Sequence, residues 1–264
     1  MCWLFAQFKT KMKKLIAANW KMNKTIEESI SLVRELKKQV KNYDKAEIVV
    51  CPPFTSLNAV SAELKGSGIK LGAQNMHFED SGAFTGEVSP VMLREIGCEY
   101  VIIGHSERRE FFHETDDLIN KKIFSALRHS LKPILCVGEN LEQRNKGIAH
   151  KIIEQQIKNC VAGIDKIRFS SVTIAYEPVW AISRGNPNQK SATSDDAEEC
   201  HLFIRNLLEN IFGKKTAGSC RILYGGSMKP DNARELLSMP DIDGGLVGNA
   251  SLNAENFAAI VNSA

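Results

Sequence analysis

The sequence predicts a single closed barrel of eight parallel strands, each followed by helix. Three observations carry that expectation. Short apolar, β-branched runs alternate with longer helical patterns along almost the whole of the 264 residues. No composition break marks a linker, and no internal repeat is visible. The glycine-rich turn of a nucleotide-binding open sheet is missing after the first strand, which runs instead into Asn19-Trp20-Lys21.

Taken in order, the strand candidates are 14–18, 46–51, 69–72, 100–104, 132–137, 172–176, 221–224 and 244–247. The first helix is announced by Thr25 and Glu28, spaced as a capping box, and then by Ile26, Ile30, Val33, Leu36 and Val40 at near-helical intervals. Ile152, Ile153 and Ile157 mark a second helix, and Leu202, Ile204, Leu207, Leu208 and Ile211 a third. That third helix opens on Thr193-Ser194-Asp195-Asp196, a strong helix start. Phe257, Ile260 and Val261 mark the last. Residues 1–11 read as an extension outside the barrel, disordered or translated from a start earlier than Met12. Residues 12–264 read as one catalytic domain.

Composition narrows the function classes. A net charge of +3, with acids interspersed among the bases, gives no footprint for nucleic acid. No apolar run is long enough to span a membrane. Seven cysteines at 2, 51, 98, 136, 160, 200 and 220 include no Cys-x-x-Cys pair and no metal-ligand spacing. A reducing cytoplasm suits them better than a secreted disulfide framework.

Chemistry collects at strand ends, where barrels place it. Glu177 follows the sixth strand, and Pro178 restrains it to an extended conformation. Tyr176, Val179, Trp180 and Ile182 are costly to expose, so this carboxylate should be partly desolvated and correspondingly basic. The bland alternative is a surface pair with Arg184. Asn19 and Lys21 project to one side of the first strand end, with Trp20 on the other. His105 follows Gly104 at the start of a polar helical turn, where the helix N-terminus disfavours positive charge. Its bland alternative is a residue that simply caps that turn. Tyr224-Gly225-Gly226-Ser227 and Gly248-Asn249-Ala250-Ser251, after the last two strands, offer backbone amides for an anion. Together these suggest a small phosphorylated substrate, a carboxylate base and a Lys/His/Asn group that polarises a carbonyl.

The runs Ala17–Asn23, Val101–Arg109, Ala175–Ile182, Tyr224–Ser227 and Leu246–Gly248 resemble the triosephosphate isomerase family in order and spacing, from Lys14 to the C-terminus. That family is itself the standard case of a glutamate base paired with a neutral histidine under a closing loop, so the scheme comes with the resemblance. It implies Glu177 as the proton carrier, His105 as the electrophile, Lys21 and Asn19 as stabilisers of negative charge, and Glu107 in support beside Lys21. It implies phosphate held by amides of Ser183, Ser227, Gly248 and Asn249, with Ile182 and Leu246 closing over the base. Pro178, Val179 and Trp180 would form the first lid hinge, with a Tyr224 hydroxyl contact to the Ala192 amide in the closed form. The segment with Met76, Phe84 and Thr85 resembles a loop that docks into a second subunit. The resemblance therefore implies a cytoplasmic homodimer of glycolysis and gluconeogenesis, needing no metal or cofactor. Ser183 and Asn249 stand where the family has glycines, and Asn186–Gln189 lengthen the loop. The competing readings are a phosphate-binding barrel without catalysis, and an enzyme acting on a different sugar phosphate.

Overall fold

The computed structural model describes residues 12–40, 44–181 and 192–264. Its eight strands close into one barrel in strict chain order, every neighbour parallel. They are β1 (Lys14–Asn19), β2 (Ala46–Cys51), β3 (Ile69–Ala73), β4 (Tyr100–Ile103), β5 (Lys132–Val137), β6 (Thr173–Tyr176), β7 (Ile222–Tyr224) and β8 (Gly244–Val247). Closure comes from β1 pairing with both β2 and β8.

The helices are α1 (Ile26–Gln39), α2 (Leu57–Leu64), α3 (Pro90–Ile96), α4 (Ser106–Phe111), α5 (Asp116–Arg128), α6 (Leu141–Asn145), α7 (Ala149–Cys160) and α8 (Lys166–Phe169), followed by α9 (Ser194–Phe212), α10 (Lys214–Ser219), α11 (Ala233–Ser238) and α12 (Ala254–Asn262). Both predicted helix starts are realised as capping boxes. Thr25 and Glu28 satisfy each other's backbone N–H at α1, and Thr193 and Asp196 do the same at α9.

Strand alternation divides the apolar side chains into two cores. Leu15, Ala17, Val49, Cys51, Tyr100, Ile102, Ile134, Cys136, Ala175, Leu223 and Leu246 fill the barrel itself. The residues between them, such as Ile16, Ala18, Val50, Ile103 and Tyr176, face the helices in a larger shell. One parity thus governs the mouth. Asn19 continues the inward set of Leu15 and Ala17, Glu177 continues that of Ala175, and Trp20 is buried on the outward side as expected.

The opposite, N-terminal end of the barrel is closed by charge. Arg221 Nη1 lies 2.5 Å from Glu47 Oε2, and the Tyr100 hydroxyl donates to Glu47 Oε1 at 2.8 Å. Arg221 Nη2 donates in turn to the Tyr100 oxygen at 2.9 Å. No helix among the described residues is long and apolar enough to cross a membrane. The six described cysteines are buried free thiols.

Candidate active site

A hollow of about 830 Å³ opens at the C-terminal mouth, within the range of small-molecule sites. Asn19, Lys21, His105, Glu107 and Glu177 line it, together with Ser227, Leu246, Gly248 and Asn249. The residues expected to act together from five separate strand ends therefore share one cavity.

Glu177 is 2% exposed, and its backbone is fixed by a bond from its N–H to Val137 O at 2.8 Å. Two glycines make that position accessible. A Cβ on Gly138 would fall 1.8 Å from the Glu177 carbonyl oxygen, and one on Gly225 would fall 2.8 Å from Glu177 Cγ. Any side chain at either place would displace the carboxylate.

The carboxylate is shared between two donors. His105 Nε2 stands 2.9 Å from Oε1, and the Ser106 amide donates to Oε2 at 2.8 Å. His105 Nδ1 accepts from the Glu107 amide at 3.2 Å, capping α4. That acceptor role places the ring proton on Nε2, so the imidazole facing Glu177 is a neutral donor. The cap thus fixes the tautomer that the ring presents to Glu177.

Burial pushes the Glu177 carboxyl up, but the His105 ring, the Ser106 amide and Lys21 together outweigh it and hold the carboxyl below its ordinary value. The expectation of a burial-strengthened base is therefore not met in this geometry. The donors that share the carboxylate are the reason.

Lys21 has φ = 52°, a left-handed conformation uncommon outside glycine. Three bonds hold it there. Its amide donates to Asn19 Oδ1 at 3.0 Å, its carbonyl accepts from Gln74 Nε2 at 2.9 Å, and its Nζ pairs with Glu107 Oε1 at 2.7 Å. Gln74 also donates to Cys51 O, which ties Lys21 to the end of β2. Asn249 is not among the four described non-glycine residues with positive φ, so no left-handed tolerance is called on there.

Leu246 belongs to the inner barrel core and lines the hollow as the expected apolar wall. Among the described residues the buried Tyr224 hydroxyl has no hydrogen-bond partner, and the expected bond to the Ala192 amide is not made. Pro178 leads into a short turn at Val179–Ala181. Ile182, Ser183 and the longer tip through Gln189 lie outside the described residues, as do residues 1–11. In the segment between β3 and α3, Phe84 is 44% exposed and Thr85 is exposed, whereas Met76 is wholly buried in its own chain's core. Met76 therefore contributes no apolar surface, and Phe84 alone carries that part of the expectation.

Sequence reasoning passed over Gln74 as a support for Lys21, and Glu139 behind the base. Glu139 is fully buried; it accepts from the Tyr176 hydroxyl at 3.1 Å and from the Trp180 indole at 2.7 Å. A carboxylate two residues past the fifth strand was the available signal.

Comparison with known proteins agrees with the geometry. Residues 14–264 match the family model described as triosephosphate isomerase. A triosephosphate isomerase of Carboxydothermus hydrogenoformans is 55% identical over 249 residues, covering 94% of this chain and 98% of the relative. Those of Clostridium botulinum and Aquifex aeolicus are each 53% identical, over 95% and 96% of this chain and 99% and 100% of theirs. With the closed eight-stranded barrel, its mouth residues and these full-length similarities in hand, the chain belongs to the triosephosphate isomerase family, isomerases that interconvert dihydroxyacetone phosphate and D-glyceraldehyde 3-phosphate.

Proposed function

We propose that this isomerase works through an enediol(ate), with Glu177 carrying the proton between C1 and C2, the two adjacent carbons that bear the reacting oxygens. The observation that carries the reading is the buried pair Glu177 Oε1 and His105 Nε2 at 2.9 Å inside the mouth. Both groups face the same volume, but each occupies the other. Bound substrate would take the His105 Nε2–H for its own oxygen, and Glu177 would have to let go. Freed from His105 and Ser106, the carboxylate keeps its burial and loses the donors that lower it, so its basicity rises when it is needed.

Lys21 and Asn19 stabilise negative charge on the reacting oxygens, and Glu107 holds the Lys21 ammonium in place. The phosphate is held by amides of Ser227, Gly248 and Asn249, with Ser183 as the fourth donor. Leu246, and Ile182 with it, keep water from the base. Residues 12–264 act as one domain. The exposed Phe84 and the 96% exposed Met22 support a homodimer that covers them. A cytoplasmic place in glycolysis and gluconeogenesis follows from the reaction.

A barrel that binds phosphate without catalysis is disfavoured, because Asn19, Lys21, His105 and Glu177 all line the cavity. Exchange of solvent deuterium into dihydroxyacetone phosphate tests the reading. Wild type exchanges and Glu177→Gln does not; a wild type that fails to exchange rejects the mechanism.

A further inference from the structure

Behind Glu177, away from the substrate hollow, three side chains converge on a single buried carboxylate oxygen. Glu139 Oε1 accepts from Tyr176 on one side of the base and from Trp180 on the other. The third donor is Arg144 Nη1 at 3.5 Å. Glu139 also fixes the backbone, since its carbonyl accepts from the Val179 amide at 3.1 Å. Three attachments of the 176–180 run therefore pass through Glu139: the Tyr176 hydroxyl, the Trp180 indole and the Val179 amide.

Arg144, at the end of α6, touches this assembly in three ways. Its guanidinium carbon lies 4.1 Å from the centroid of the Trp180 ring, a stacked cation–π contact. It is the one cation paired with Glu139 among the described residues. Its other terminal nitrogen pairs with Asp196 Oδ1 at 2.7 Å, on the first turn of α9. Burying a carboxylate is costly without a cation, and a planar guanidinium is well shaped to serve a carboxylate and an aromatic face at once.

We propose that Arg144 is a positioning residue for the isomerisation. It packs on the Trp180 indole, neutralises Glu139 and so fixes the backbone that aims the Glu177 carboxylate. It never touches substrate; it acts through Trp180 and Glu139. The proposal rests on Glu177 being the base.

The test uses Arg144→Gln, Arg144→Lys, Trp180→Phe and the double variant Arg144→Gln/Trp180→Phe, with kcat and KM measured in both directions. Loose placement of a reacting group by about an ångström costs on the order of 10²-fold, so kcat in Arg144→Gln should fall about 10- to 100-fold. KM should move by no more than about threefold, since the phosphate contacts are elsewhere. Arg144→Lys keeps the charge and loses the plate, and should recover part of the lost kcat. If Arg144 acts through Trp180, the double variant should be no slower than the slower single variant, because both remove one linked unit. A kcat for Arg144→Gln within twofold of wild type overturns the proposal. So do losses that multiply fully in the double variant, or an Arg144→Lys protein as impaired as Arg144→Gln. A normal wild type whose Glu177→Gln variant keeps its turnover would instead remove the base assignment, and this proposal with it.

Discussion

The two ends of the barrel carry buried charge in opposite ways. At the N-terminal end, Glu47, Arg221 and Tyr100 satisfy one another directly. Burial works against the Glu47 carboxylate, but Arg221 and Tyr100 bonds and the nearby Lys132 hold it below its ordinary value. At the mouth, Lys21, His105 and Glu177 are also paired, yet each pair borders an open hollow and can be exchanged for a ligand. Both ends are built on the same strands with the same alternation. What separates them is whether the charged groups have anywhere else to go: closed pairing makes a plug, and pairing beside a cavity makes a site.

The strongest way to break that contrast is Glu177→Gln. A general base is worth roughly 10²–10⁴-fold, so turnover should fall about 10³-fold in both directions, while thermal unfolding stays near wild type. A variant that melts much earlier would make Glu177 a structural plug like Glu47.

Arg221→Met probes the other end. It removes the main cation from a partly buried carboxylate that keeps only Tyr100 and the more distant Lys132, and the loss should be about 1–3 kcal/mol of unfolding free energy in urea titrations. The kcat/KM of the folded variant should be unchanged. A kinetic defect without a stability defect would show that the plug serves the site.

Acid sharpens the comparison through His201, which lies behind the strands with Nδ1 at the Asp241 carbonyl and no exposure. Burial pushes its imidazole down to about 3. The unfolded chain therefore binds the extra proton between about pH 6.5 and that value, and stability falls as pH drops through this window. From pH 7 to pH 5 the loss should be about 2 kcal/mol, and His201→Gln should remove that part of the slope. An unchanged slope in the variant would assign the acid sensitivity elsewhere.

The smallest effect is expected from Tyr224→Phe. Its hydroxyl has no partner in this state, so melting should be unchanged or slightly raised. If the hydroxyl bonds Ala192 when substrate is bound, kcat/KM should fall about fivefold, the worth of one net hydrogen bond near 1 kcal/mol. No change would remove that contact from the working cycle.

Much of this was legible because strands announce themselves locally. The expected runs at 46–51, 132–137 and 244–247 match β2, β5 and β8 to the residue, and the others shift by one at an end. Asn19, Lys21, His105 and Glu177 could be singled out for the same reason, since each is a polar residue at or just past the end of an apolar strand, and the four line one cavity. Long-range satisfaction was not legible. Nothing near Glu139 in sequence says that Trp180 and Tyr176 donate to it, and nothing near Met76 says that its own core absorbs it. The lowered Glu177 carboxyl likewise depends on His105, far away in the chain.

Lys21 bears a lasting consequence. A lysine at φ = 52° sits where glycine would rest without strain, and backbone outliers of this kind cost on the order of 1–3 kcal/mol. Selection for heat resistance alone would therefore favour a glycine at that position, which would take the Lys21 ammonium out of the mouth. On the proposed role of Lys21, the barrel keeps this strain at its mouth for the charge it places there, and any effort to harden this protein should leave the residue alone.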